Sequence, residues 1–194
     1  MAKLPPDVLQ VLKRQVPKSL KRDFNKEFKK KFEDVKKEML KEFLSHPVTV
    51  EISGGAGISN ISGTLGGQSN LFAFIGFNSG DQPINPILEV LERVSFKESG
   101  KSKKGLGIEF SVELPSPNDI FSVTPMPWAT GRSWAKGIET GISGLGYLLN
   151  KSSGSSRSGV AIQTRKRVRS GGFKNVSYIS ALIRKYEKKF KELS

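Results

Sequence analysis

The chain of 194 residues contains no cysteine and a single histidine, His46. The first absence excludes disulfides, thiolate zinc sites and thiol catalysis, and fits a reducing compartment or a small exported particle. The second leaves a histidine-based metal centre without another ligand of its kind. Long apolar runs are missing as well. The longest is Leu71–Ile75, with Phe77 beyond Gly76, far short of the roughly 20 residues that cross a bilayer. The opening residues, MAKLPPDVLQ, lack the apolar block of a signal peptide. The expectation is a soluble, unsecreted protein with no membrane contact.

Acidic residues are the remaining scarcity: 18 Asp+Glu stand against 32 Lys+Arg, a formal net charge of +14. The excess is confined to the ends, at +6 for residues 1–46 and +10 for residues 151–194, while residues 47–150 carry −2. Like charges gathered in terminal segments repel one another, so such a layout points to an anionic or acidic partner lying opposite them. The acidic residues that exist are spread over helix faces and hairpin arms, and no carboxylate pair for acid/base work stands out. No enzymatic activity and no cofactor are expected.

With 36% hydrophobic and 9% aromatic residues, the chain can bury one sizeable core. We divide it into a basic N-terminal helical segment, 1–46, and an α+β core, 47–194, with Gly/Ser-rich loops and a basic C-terminal strand and helix. A short helical stripe over 7–15 stops at Pro17. A long helix follows from about Ser19 to Ser45, with Leu20, Phe24, Phe28, Phe32, Val35, Met39 and Phe43 spaced by three or four. Such a helix of roughly 40 Å either lies across a sheet or projects onto a neighbouring subunit. His46-Pro47 ends it, and a dipole-favoured cap is the natural role for His46. Alternation at Val48, Val50 and Ile52 predicts a strand, residues 53–70 a Gly/Ser/Asn segment too flexible to pack alone, and Leu71–Phe77 a buried strand. Asn85 as N-cap with Pro86 behind it starts a short helix to about Val94.

Phe96 and the alternating Ile108, Phe110, Val112 and Leu114 predict a hairpin with a basic tip, Gly100–Gly107. A proline-punctuated connector holds Ile120, Phe121 and Val123. For residues 132–150 a helical face through Trp134, Ile138, Ile142, Leu145 and Leu149 competes with the cost of four glycines, about 1 kcal/mol each inside a helix. We expect a strand through Trp134, Lys136 and Ile138 and a glycine-rich loop after it. A low-complexity segment, 152–159, precedes a strand over 160–169. Ile179, Leu182, Ile183, Tyr186, Phe190 and Leu193 define a C-terminal amphipathic helix. The fold class is thus α+β: a mostly antiparallel sheet of four to six strands flanked by a long N-terminal helix and a C-terminal amphipathic helix.

Two nucleotide motifs fail on inspection. Gly100-Lys101-Ser102 ends like a phosphate-binding loop, but Ser95 occupies the place of the required glycine and the context is a hairpin tip. Gly55-Ala-Gly57-Ile-Ser-Asn60 has Asn60 in place of the third glycine of a dinucleotide fingerprint. The strongest functional signal is the run Arg165, Lys166, Arg167 and Arg169, with Arg157 before it and Lys174 after it. In a strand, Arg165, Arg167 and Arg169 share one side about 7 Å apart, a spacing that suits a phosphate backbone. A solvated sheet face or an acidic protein neighbour accounts for the same residues. No aromatics are interleaved, so base stacking is not expected.

The charged N-terminal helix, the sheet, the segment Trp134–Glu139 (WAKGIE) leading to Gly141-Ile-Ser-Gly144, and the C-terminal helix together resemble small structural proteins of tailed bacteriophages, in particular neck, head-tail connector and tail-completion proteins. The 53–70 loop is longer than that resemblance implies. The family implies an α+β fold, a homo-oligomeric ring contacting other phage head, neck or tail proteins, no cofactor, no catalysis and a place in the virion. On this reading Gly54, Gly57, Gly66, Lys101, Lys103 and Lys104 lie in loops that reach the next subunit. The basic segments would meet double-stranded DNA through backbone electrostatics, or an acidic neighbour. The competing reading is a free-standing, sequence-nonspecific nucleic-acid-binding protein.

Overall fold

The computed structural model describes residues 18–66, 70–101, 108–141, 147–150, 162–167 and 173–193. The expected helix over 7–15 and the tip of the hairpin at 102–107 lie outside them.

Helix α1, Lys18–Ser45, forms where the apolar spacing places it. Its stripe buries Phe28, Phe32, Met39 and Phe43, whereas Phe24, nearer the start, is 53% exposed. Burial of each such side chain contributes roughly 1.5–3 kcal/mol. Phe28 stacks on Phe110 with ring centres 3.9 Å apart and meets Phe96 edge-on at 5.1 Å. These partners belong to the expected hairpin, β1 (Ser95–Lys101) and β2 (Ile108–Glu113), paired antiparallel in the register Phe96 to Val112. The C-terminal helix also forms as expected, over Ile179–Lys191, and buries Ile179, Leu182, Ile183, Tyr186 and Phe190. It runs antiparallel to α1: Glu42 pairs with Lys185 and Glu38 with Lys189, each at 2.6 Å, and Phe32 touches Phe190.

Between these elements, three expected strands are helices. Pro47–Ser53 is α2, begun by Pro47 in its first turn. Its buried residues, Val48, Thr49, Glu51 and Ile52, follow the helical spacing of one, three and four, and the alternation of Val48, Val50 and Ile52 was incidental. Leu71–Ile75 is α3: Asn70 caps its start by accepting from the Ala73 N–H at 2.8 Å, and Gly76, at φ 95°, ends it in the left-handed region. Short apolar runs buried on most sides carry no period that separates strand from helix. Asn85–Glu92 is α4, with Ile84 rather than Asn85 at the N-cap; Ile84 is buried and takes helical angles, which shifts the boundary by one residue.

The proline-rich connector contains α5, Pro117–Ser122, started by a reciprocal capping box between Ser116 and Asp119. A small ribbon follows, β3 (Pro125–Met126) with β4 (Ala129–Ser133). The strand expected through Trp134 and Ile138 is helix α6, Trp134–Thr140. Ser133 caps it by accepting from the Lys136 N–H, and Trp134, Ala135, Gly137 and Ile138 are buried, so packing outweighs the helical cost of Gly137. Residues 142–146 of the expected glycine-rich loop lie outside the described residues. The last ribbon pairs β5 (Tyr147–Asn150) with β6 (Ile162–Arg167), and the C-terminal helix is α7.

The α+β class therefore stands, with long helices at both ends. Among the described residues all strand pairs are antiparallel, arranged as three two-stranded ribbons and not as one sheet. One hydrophobic core runs from Phe28 of α1 to Phe190 of α7, crossing the 46/47 boundary without a break.

Candidate nucleic-acid interface

The structure brings Arg165, Lys166 and Arg167 together in β6, with Arg167 opposite Tyr147 and Gln163 opposite Leu149. Arg157 and Arg169 lie outside the described residues. Lys174 is exposed and stands apart from that strand by sequence; its backbone N–H donates to the Thr64 carbonyl at 2.8 Å. The limb that follows β6 is fixed to the core by this bond, by Val176 N–H to the Ile138 carbonyl at 3.2 Å, and by stacking of Phe173 on Phe74 at 5.9 Å. Where the ribbon leaves α6, Gly141 adopts φ 92° beside the Asn175 side chain.

Of the residues expected at subunit contacts, Lys101 ends β1 and Lys103 and Lys104 lie outside the described residues. Gly54 caps the end of α2, Gly57 ends a short 3-10 turn, and Gly66 takes φ 61°. A Cβ on Gly54 would fall 1.8 Å from Ile58 Cδ1, so this glycine serves a close approach within its own chain.

The loop that follows is organised from inside, which corrects the expectation that it cannot pack alone. Fully buried Glu51 accepts hydrogen bonds from Asn60 Nδ2 at 2.8 Å, Ser62 N–H at 2.9 Å and Leu71 N–H at 2.7 Å. Asn60 Oδ1 accepts from the Leu65 N–H, and Asn70 Nδ2 donates to the carbonyls of Ala56 and Ile58. Hydrogen bonds to a charged group contribute about 1.5–3 kcal/mol each. They fix a segment that has few apolar side chains of its own.

The titratable groups with shifted properties serve structure. His46 caps α2, not α1: its Nδ1 accepts from the Val48 N–H at 3.2 Å. Burial lowers its pKa, opposed by a backbone hydrogen bond to Ser177 and by the charge of Glu42. The Lys185 hydrogen bond lowers the pKa of Glu42, aided by the Tyr186 hydroxyl, which donates to it at 2.7 Å, and opposed by burial. Burial and that same hydrogen bond raise Tyr186; burial also raises Tyr178, whose hydroxyl lies 2.8 Å from Thr49 Oγ1. Glu139 on α6 accepts from the backbone N–H of Ser180 at 2.6 Å and from its hydroxyl, tying α6 to the start of α7.

Gly100 and Lys101 sit in a hairpin strand and Gly55–Gly57 follows a helix, so neither nucleotide motif has the strand-to-helix setting it needs. A groove of about 540 Å³ between β2 and α7 is walled by Phe110, Val112, Leu114, Ile183 and Phe190. Its Glu187 is paired with Lys191 at 2.6 Å. Among the described residues no group of three or more Asp, Glu or His is placed to hold a metal ion, and no helix is long and apolar enough to cross a membrane.

A second basic surface escaped the sequence reading. At about 100° per residue, Lys26, Lys30, Lys37 and Lys41 fall within an arc of about 60° on α1, all exposed, with Arg22 and Lys29 on one flank. Glu38 and Glu42 project on the other side, toward the lysines of α7, and Glu27 faces Lys31 at 3.9 Å. The signal was present in the order of residues, but counting charge over a whole segment averaged it away.

No protein-family model, curated protein or solved structure matches this chain.

Proposed function

We propose that the protein is a non-enzymatic structural subunit of a tailed-bacteriophage particle, forming a ring at the head-tail neck and turning basic surfaces toward DNA or acidic neighbours. The observation that carries this reading is the β5–β6 ribbon. Its strands bond to each other and to no other strand among the described residues, and β6 holds Arg165, Lys166 and Arg167. An isolated two-stranded ribbon is at best marginally stable in water, and three consecutive cations gain nothing from one another. Both features are accounted for when the ribbon lies against an anionic or acidic partner. Support also comes from half-buried His46 and buried Glu51, both of which are engaged in holding the backbone.

A free-standing nucleic-acid-binding protein shares the basic surfaces but needs no ring. Light scattering across protein concentration, combined with duplex-DNA binding across salt, separates the two. The neck reading expects a closed oligomer and weak binding by the free subunit. A monomer or dimer that binds DNA tightly would favour the second reading.

A further inference from the structure

Resting on the reading that a DNA backbone faces this protein, we infer that the outer edge of α1, centred on Lys26, Lys30, Lys37 and Lys41, is a contact surface for duplex DNA. The four lysines are exposed and form no ion pair among the described residues. From Lys26 to Lys41 there are 15 helical rises, about 22 Å of helix axis, along which duplex DNA presents a charge about every 1.7 Å. Like charges at helical spacings of four cost a few tenths of a kcal/mol per pair, so the fold itself gains nothing from the row. The charges of α1 are also sorted by side. Glu38 and Glu42 meet Lys185 and Lys189 of α7, which leaves the outer edge in cationic excess: exposed Asp23 lies at the rim of the arc and Glu33 and Asp34 border it, against the four lysines, Arg22 and Lys29.

The chemistry selects the phosphate backbone over the bases. Phe24 projects on the other side of the helix, so the arc carries no aromatic side chain for stacking. Lysine side chains act as point charges toward phosphate without reading base edges. The row is also independent of β6: it stands on a helix whose apolar stripe is locked into the core by Phe28, Phe32, Met39 and Phe43.

The test is fluorescence anisotropy of the full chain with a labelled random duplex between 50 and 200 mM salt. The proteins compared are wild type, the quadruple variant Lys26/Lys30/Lys37/Lys41→Gln, Glu33→Gln, and Arg165/Lys166/Arg167→Gln, with helicity checked by circular dichroism. Four phosphate contacts give a slope of about −3.6 in log K against log salt, or roughly a 100-fold change across this range. The quadruple variant should lose most of that dependence, and Glu33→Gln should tighten binding about two- to fivefold. If the quadruple variant keeps the wild-type slope while the β6 variant loses it, the α1 surface is wrong and the DNA reading stands. Should the quadruple variant fail to fold, unchanged affinity of Glu33→Gln overturns the surface by itself. Binding of wild type to polyglutamate but not to duplex overturns the DNA assignment in favour of an acidic protein, and binding to neither overturns the functional reading with it.

Discussion

Replacing Glu51 by Gln tests the claim that a buried carboxylate, and not a neighbouring subunit, orders the 53–66 loop. The wild-type carboxylate has two accepting oxygens: Oε1 serves Asn60 Nδ2 and the Leu71 N–H, and Oε2 serves the Ser62 N–H. A glutamine has one accepting oxygen. If it takes the position of Oε1, its NH2 group confronts the Ser62 N–H, a donor against a donor at a half-buried residue facing a fully buried side chain. The variant loses one charge-assisted bond, worth about 1.5–3 kcal/mol, and leaves a half-buried N–H facing a donor. A net destabilisation of about 3 kcal/mol lowers Tm by roughly 6–12 °C for a chain of this length. Thermal unfolding followed by circular dichroism measures the sum, and amide exchange at Ser62, Leu65 and Leu71 in the unassembled subunit reports on the loop itself. Those amides should be protected in wild type and exposed in the variant. A Tm within 1 °C of wild type together with unchanged exchange would refute the reasoning.

His46 gives a pH signature. Its pKa in the fold is below the ordinary value of 6.5, so its contribution is intact above that value. Stability is lost as pH falls from about 6.5 toward the folded pKa, because the unfolded chain takes up the proton first. His46→Asn keeps a capping acceptor without the titration, and should flatten the fall in Tm between pH 7 and 5; a parallel fall in both proteins would contradict the cap. Gly76→Ala places a side chain at φ 95° and should cost about 1–2 kcal/mol in chemical denaturation, whereas no change would mean that the α3 terminus relaxes freely. Replacing Arg165, Arg167 and Arg169 together by Gln should spare folding and subunit assembly while weakening DNA retention and its salt dependence. Failure of assembly with DNA contacts intact would assign that strand to an acidic protein surface.

The two terminal helices and the β1–β2 hairpin were legible because each exposes one face and buries the other, which writes a clear period into the sequence. Phe28, Phe32, Met39 and Phe43 repeat at helical spacing, and Phe110 and Val112 alternate. The middle of the chain is short helices wedged among larger ones. Leu71–Ile75 is buried on most sides, so its residues are apolar regardless of period. Trp134–Thr140 buries Trp134, Ala135, Gly137 and Ile138 within about a turn and a half, too short a pattern to outweigh the glycines around it, and the caps Asn70 and Ser133 were the remaining local signal. Ser116 and Asp119 likewise announced α5 through a capping box hidden among prolines. The Glu51 network was illegible for a different reason: its members lie up to 20 residues apart, and only the fold brings the carboxylate to the loop. Along α1, the basic row became visible once α7 claimed Glu38 and Glu42.

The central claim is the proposed place in a phage particle, and high-resolution image reconstruction of the particles purified from cells that express this chain tests it most directly. The account predicts a ring of copies at the head-tail junction, with the α1 edge and the β6 strand directed at DNA or at an acidic neighbouring protein. Purified, infectious particles that contain no copy of the chain would contradict it.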